Sequence, residues 1–88
     1  MEVTLKNGVV YTVDDDALGD MEIFENLVEI EKGNPLTLPE TIKALIGADG
    51  YAKMKESVRN EKGRVKTEDF MAQFGELMKA AGELGKKK

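Results

Sequence analysis

The chain has 88 residues, of which 41% are hydrophobic and 34% charged, with a net charge of −4 and neither cysteine nor histidine. This length is typical of one small domain, and the missing cysteine and histidine exclude disulfides, thiolate nucleophiles, imidazole bases and the common zinc sites. The sequence begins without the features of a signal peptide and has no apolar run long enough to span a membrane, so we expect a soluble protein with no membrane partner.

A β-hairpin is predicted over residues 2–13, where β-branched and aromatic residues flank an Asn-Gly turn. A two-residue loop leaves both strand faces mixed, whereas a three-residue loop pairs Leu5 with Val9. The same register pairs Val3 with Tyr11. It collects five apolar side chains on one face, namely Val3, Leu5, Val9, Tyr11 and Val13. We therefore expect this register, with the turn glycine left-handed at a bulge and the apolar face lying on helices.

The first helix is predicted over about 20–32, with room for a short turn after the acidic segment at 14–16. Asp20 supplies an N-cap, and Gly33 is placed to end the helix. The apolar residues recur with helical spacing, as in an amphipathic helix. They are Met21, Phe24, Leu27 and Val28.

Two short helices are predicted next, over about 38–46 and 49–60. Thr37 and Glu40 have the spacing of a capping box at the start of the first, and Gly47 is placed to end it. The side chains expected to be buried are Leu38, Ile42, Leu45 and Ile46 in the first of these helices and Tyr51, Met54 and Val58 in the second.

The clearest helical pattern covers residues 67–84, and a lysine-rich frayed end is expected at 85–88. Its apolar stripe consists of Phe70, Phe74, Leu77, Met78 and Ala81. The stripe either seals the core over the hairpin or offers a Met-containing apolar face to another helix. In the second case the partner-binding residues are Phe70, Phe74, Leu77 and Met78. Together these elements predict an α+β fold over 1–84, a single small domain in which an N-terminal β-hairpin packs on about four mostly short helices.

Residues 14–25 come nearest to a metal site, because Asp14, Asp16 and Glu25 fall at ligand positions of an EF-hand calcium loop. Leu18, however, occupies another ligand position, and a strand instead of a helix precedes the segment. We therefore expect no bound metal.

Catalysis and nucleic-acid binding are not indicated either. Ser57 is the only serine, and no histidine is present to activate it. The basic residues are not interleaved with aromatics that could stack on bases. We therefore expect no enzyme activity, no cofactor and no nucleic-acid partner.

Charge is divided unevenly along the chain. Residues 1–40 carry ten acids and two lysines, whereas residues 41–88 carry eleven basic residues and seven acids. This division suits head-to-tail self-association or an oppositely charged partner. The simpler interpretation is that each half solvates its own surface.

Three segments follow one another along the chain: the hairpin "LKNG", the acidic "DDDALGDMEIFENLVEIEKGNPL", and "LPETIKALIGADGYAKMKESVRNEKGRVKTEDF". In this order they resemble the small tail assembly chaperones of long-tailed bacteriophages and prophages of Gram-positive hosts. The resemblance implies a protein that binds the helical tape measure protein and keeps it soluble until the tail tube polymerises. It also implies action in the cytoplasm of the bacterial host, absence from the finished virion and no catalytic residues.

The end of the chain, "LGKKK", is a candidate recoding site, because consecutive lysine codons can form adenine runs on which tRNAs slip by one base. Members of the resembled family often make a longer product by such a frameshift, and its added domain recruits the tail tube protein. The chain would then be the short form. The alternative is that terminal lysines merely aid solubility.

The alternative function is that of a small acidic regulatory or inhibitory protein that mimics nucleic acid. Its binding face would consist of the carboxylates of Asp14, Asp15, Asp16, Asp20, Glu22, Glu25 and Glu29. Gene neighbours distinguish the two functions. Tail tube and tape measure genes favour the chaperone, whereas repressor or nuclease genes favour the inhibitor.

Overall fold

An antiparallel hairpin of two strands followed by four helices forms an α+β fold, as the sequence predicts. The structure, a computed structural model, describes residues 1–34 and 36–86. In chain order its elements are β1 (Glu2–Thr4), β2 (Val10–Thr12), α1 (Asp15–Leu18), α2 (Met21–Glu31), α3 (Leu38–Ser57) and α4 (Thr67–Lys86). α3 is the central element, since it contacts β2, α1, α2 and α4.

The hairpin has the predicted register. Val3 pairs with Tyr11, and the Leu5 N–H donates to the Val9 carbonyl at 3.0 Å. Gly8 has a φ of 86°, a left-handed conformation that glycine adopts without a steric penalty. On the predicted inward face Val9 is half-buried and the other four residues are buried. The apolar face of the hairpin therefore lies on the helices, as expected.

An apolar core joins the hairpin to α3 and α4. Its fully covered side chains include Tyr11, Ile42, Leu45, Met54 and Leu77. Removing such side chains from water is the main favourable term in folding. At the edge of this core, the backbone N–H of Lys6 in the hairpin loop donates to Glu76 of α4 at 2.9 Å. The strands and the last helix are thus held together through both apolar and polar contacts.

The helix predicted over about 20–32 is α2, and the short turn expected before it is the one-turn helix α1; an aspartate caps each of them. Asp14 Oδ1 accepts the N–H groups of Asp16 at 2.9 Å and Ala17 at 3.3 Å. Asp20 Oδ1 accepts the N–H of Glu22 at 2.8 Å. Both carboxylates satisfy backbone donors that have no partner within the helix. The N-cap predicted at Asp20 is confirmed.

α2 ends in a Schellman motif at the predicted glycine. The Gly33 N–H donates to the Ile30 carbonyl and the Asn34 N–H to the Glu29 carbonyl, both at 3.0 Å. α2 is therefore capped at both ends, and local sequence fixes where it begins and ends.

α3 contains a sharp break at Gly47, where φ is 79° and ψ is 165°. Only glycine readily adopts this extended conformation with positive φ. The two segments on either side correspond to the second and third predicted helices, although the later segment ends at Ser57 instead of about residue 60. Just before the break, the Leu45 carbonyl accepts the Asp14 N–H at 2.8 Å. This bond joins the start of α1 to the middle of α3.

The predicted capping box at Thr37 is wrong. Thr37 is the N-cap residue of α3, but its side chain makes no capping hydrogen bond. Its Oγ1 is buried without a partner among the described residues. The backbone has φ −95° and ψ 3°, not the extended conformation from which a cap side chain reaches the first turn. The start of α3 depends instead on Pro39 in its first turn and on the Thr41 N–H, which donates to the Thr37 carbonyl at 2.9 Å.

α4 extends from Thr67 to Lys86, beyond the predicted end of the helix at 84. The last part of the predicted frayed end, residues 87–88, lies outside the described residues. The loop that leads into α4 is closed by an antiparallel bridge between Arg59 and Val65. This tight connection brings α4 back along α3.

Candidate partner-binding surface

α2 presents apolar side chains to solvent. Met21 and Phe24 are 68% and 58% exposed, and Val28 is half-buried but is not packed on the core. Their spacing of three and four residues places all three on one side of the helix. We call Met21, Phe24 and Val28 the α2 outer face. Large apolar side chains that lie side by side and are exposed to solvent are typical of interaction sites.

A different side of α2 attaches the helix to the rest of the protein. Ile30 is buried, and Ile23 and Leu27 are half-buried against the core. α2 is therefore apolar on two sides, of which the described part of the chain covers only one. A helix with apolar residues around most of its circumference normally has both sides buried. The α2 outer face thus has the composition of an interface.

Carboxylates border the α2 outer face. Glu22, Glu25 and Glu29 are exposed along one edge and line the same shallow depression as the apolar residues. Glu29 lies 3.8 Å from Lys32 Nζ, a surface ion pair that contributes little net energy. Glu22 and Glu25 form no ion pair with the described residues. The edge therefore carries a negative potential.

An apolar groove runs between α2 and α4. It has room for about 320 Å³ and is lined by Leu27, Ile30, Glu31, Met71, Phe74, Gly75 and Met78. We call it the α2–α4 groove. No heavy atom lies within 4 Å of the position that a Cβ on Gly75 would occupy, so the groove is open at this point.

The groove and the α2 outer face adjoin each other. At 3.6 residues per turn, Leu27 and Glu31 lie on α2 between its core side and Phe24. An apolar surface therefore extends from Met78 in the groove to Met21 on the outer face, interrupted only by the Glu31 carboxylate. This width suits an amphipathic helix laid along the surface.

The four residues predicted to bind a partner occupy different environments. Phe70, Phe74 and Leu77 are buried, and the core interpretation is confirmed for these three. Phe74 is 4% exposed and forms the floor of the α2–α4 groove. Met78 is half-buried in the groove wall. The structure therefore brings Phe74 and Met78 to a candidate surface and places Phe70 and Leu77 beneath it.

The sequence prediction missed the α2 outer face. The signal was present, because α2 has one apolar set at Met21, Phe24 and Val28 and a second at Ile23, Leu27 and Ile30. A single helix that is apolar on two sides indicates either central burial or a surface kept for a partner. The polar capping residues at both ends of α2 and its position at the edge of the domain favour a surface kept for a partner over central burial.

The acidic segment shows no arrangement for binding a metal. Among the side chains that the structure describes, at 1–34 and 36–82, no group of three or more acids is placed to hold an ion. Asp14 is engaged as the N-cap of α1. The Ser57 hydroxyl donates to the Met54 carbonyl at 2.8 Å, as expected of a structural serine near a helix end. The absence of metal binding and of enzyme activity stays a prediction.

The titratable groups with altered pKa values lie outside this surface. Burial raises the pKa of Tyr11, and the nearby Ser57 hydroxyl partly offsets the rise. A hydrogen bond from Arg59, together with its charge, lowers the pKa of the Glu56 carboxyl. The first effect belongs to the core and the second to an exposed ion pair.

Comparison with protein-family models, with curated proteins and with solved structures found no match to this chain. The resemblance to tail assembly chaperones therefore remains a hypothesis that depends on the sequence segments quoted above. In the described part of the chain, no helix combines the length and the apolar character needed to cross a membrane.

Proposed function

We propose that this chain is a tail assembly chaperone that binds the helical tape measure protein and keeps it soluble until the tail tube polymerises. The observation that carries the proposal is the exposure of Met21 and Phe24 beside the α2–α4 groove. An exposed amphipathic helix aggregates through its apolar stripe. Covering that stripe with a complementary apolar surface keeps the helix in solution.

The side chains on this surface suit reversible binding. A few anchor residues usually supply most of the energy of an interface, and aromatic side chains are prominent among them. Here Phe24 is the aromatic anchor, while Met21 and Met78 supply flexible side chains that adapt to different partner sequences. A chaperone of this kind must bind many stretches of one long helix and must be displaced by the tube subunits.

The acidic inhibitor is supported less well by the same surface. Asp14 and Asp20 use side-chain oxygens to cap helices, so they are only partly available to a partner. Met21 and Phe24 lie among the remaining carboxylates, where a mimic of nucleic acid would present charge alone. The mixture of apolar groups and carboxylates favours a protein helix as the partner.

Three further expectations accompany the proposal. The protein acts in the cytoplasm of the bacterial host and is left out of the finished virion. A longer frameshift product recruits the tail tube protein, and an overlapping −1 reading frame beyond residue 85 would support this expectation. Head-to-tail self-association also stays a prediction, tested by sedimentation of the purified chain.

Co-expression with the tape measure protein tests the proposed function. The wild-type chain should raise the soluble fraction of the tape measure protein, and Phe24→Gln should remove this effect. Glutamine keeps a high helix propensity, and Phe24 is largely exposed, so the variant should fold.

Val10→Thr is the matched control, because Val10 is an exposed apolar residue on the hairpin and threonine suits a strand. It should act like the wild type. If the wild-type chain leaves the tape measure protein insoluble, the proposed function is wrong. If Phe24→Gln solubilises it fully, another surface carries the function.

A further inference from the structure

We infer that the partner segment is a basic amphipathic helix, whose apolar stripe is flanked by lysine or arginine; this inference rests on the proposed function. It follows from the charges that surround the apolar surface. α2 contains four glutamates and no basic residue. Of these, Glu22 and Glu25 lack an ion pair among the described residues.

The carboxylates lie on both sides of the α2 outer face. Helical geometry places Glu22, Glu25 and Glu29 along the edge remote from the groove. Glu31 lies on the other side and lines the groove itself. A helix bound along the outer face therefore has carboxylates on each side of its apolar stripe, well within the distance over which charges interact at physiological salt.

Covering the apolar residues also removes water from these neighbouring carboxylates. An ionised group loses hydration energy unless a partner of opposite charge or a hydrogen-bond donor replaces the water. A helix with basic flanks supplies that replacement, whereas acidic flanks would add repulsion. Helical spacing puts Glu68 and Lys79 on the same side of α4 as Gly75, so that side of α4 carries both charges and leaves the choice of charge to α2.

A second copy of the chain does not match this description. The basic residues lie mainly beyond position 40. Among the described residues, the large apolar side chains that are exposed are Val10, Met21, Phe24 and Leu36. All of them lie in the acidic half, so the most exposed apolar side chains of a second copy would bring carboxylates, and not basic residues, beside Phe24.

Three synthetic helical peptides test the inference. They share one leucine stripe and differ only in the flanking residues, which are lysine, glutamate or glutamine. Binding to the full chain is measured by fluorescence anisotropy. We expect the lysine peptide to bind about tenfold more tightly than the glutamate peptide. The difference should shrink at about 0.5 M salt, because surface charges are then screened.

A pair of double variants locates the effect. Glu22→Gln with Glu25→Gln should reduce the preference for the lysine peptide. Glu2→Gln with Glu61→Gln makes the same change in net charge at exposed positions away from α2 and should leave the preference unchanged. If both double variants behave alike, net charge and not the α2 edge explains the preference, and the inference is wrong.

Other outcomes separate this inference from the proposed function. Equal binding of all three peptides, abolished by Phe24→Gln, overturns the charge preference and leaves the binding surface standing. If none of the peptides binds, both are overturned. If sedimentation of the chain alone shows a dimer that Phe24→Gln dissociates, a second copy covers the α2 outer face, and the inference is again overturned.

Discussion

Two helical glycines, Gly50 and Gly75, show how strongly the role of one residue depends on its surroundings. A Cβ on Gly50 would lie 2.9 Å from the Cβ of Ile46, closer than two non-bonded carbon atoms normally approach. Gly50 is buried, and Ile46 is held within the core. A Cβ on Gly75 would meet no heavy atom within 4 Å. The first glycine is required by packing, whereas the second leaves space in the groove.

Alanine at these two positions should therefore change stability in opposite directions. Gly50→Ala should lower the free energy of unfolding by about 1–3 kcal/mol, because Ile46 and the backbone must shift. Gly75→Ala should raise it by up to about 1 kcal/mol, because alanine has the higher helix propensity. Denaturant unfolding of the two variants measures both changes. Destabilisation of equal size in both would contradict the packing described for Gly50.

Tyr11 should make stability depend on alkaline pH. Burial raises its pKa above the ordinary value of about 10, so the unfolded chain loses the phenolic proton first. The folded state is therefore unaffected below about pH 10 and loses stability as the pH rises from there towards the folded-state pKa.

Tyr11→Phe should remove this part of the alkaline loss. At neutral pH the variant should be nearly as stable as the wild type, because the buried Tyr11 hydroxyl makes no hydrogen bond of good geometry with the described residues, and the nearby Ser57 hydroxyl donates to the Met54 carbonyl. Thermal unfolding from pH 7 to pH 11 tests this. A variant as sensitive to alkali as the wild type would show that other groups cause the loss.

At the scale of elements, the position of α2 depends strongly on its caps. It is attached through Ile30 and two half-buried side chains, so its ends matter more than in a helix surrounded by the core. Asp20→Ala should cost about 0.5–2 kcal/mol. It should also increase amide hydrogen exchange in α2 more than in α3. Equal loss of protection in both helices would contradict a separate role for the cap.

The hairpin register was predictable because a slip of one residue exchanges the two strand faces, and only one register buries Val3 with Tyr11. The ends of α2 were predictable from Asp20 and Gly33, since their capping bonds are local. The role of Thr37 was not, because it depends on a backbone conformation that the motif does not specify.

Two residues of the candidate surface could be derived from the sequence. Phe74 and Met78 were identified from the spacing of apolar residues in the last helix, although the same spacing also selected Phe70, which is buried. Met21 and Phe24 could not be assigned, because periodicity shows that residues share a side of a helix but not whether that side meets the core. Only the packing of α2 on α3 decides this.

At the scale of the whole molecule, the core and the α2 outer face are separate, and the α2–α4 groove joins them because the core residues Ile30 and Phe74 line it. The hairpin, α3 and α4 supply most of the buried side chains, while α2 lies outside them with one apolar side uncovered. Stability and binding should therefore respond differently to substitution. Gly75 allows a test at one residue, because it lies in the α2–α4 groove without contributing a side chain to the core.

Gly75→Leu should stabilise the chain by up to about 1 kcal/mol through helix propensity and should weaken partner binding by filling the groove. Gly82→Leu is the control, because Gly82 is exposed with equal space around it and does not line the groove. It should gain stability and keep binding. If Gly75→Leu binds as tightly as the wild type, the groove does not contribute to the interface.

The most direct test of the central claim is a heteronuclear NMR titration of the full chain with an amphipathic helical peptide. If the α2 outer face and the α2–α4 groove form the binding site, the largest amide shift changes should fall within Met21–Glu31 of α2 and at residues 71–78 of α4. The outer face of the hairpin and the later segment of α3 should change little. Changes concentrated in the hairpin or at residues 48–57, with α2 unaffected, would contradict the claim.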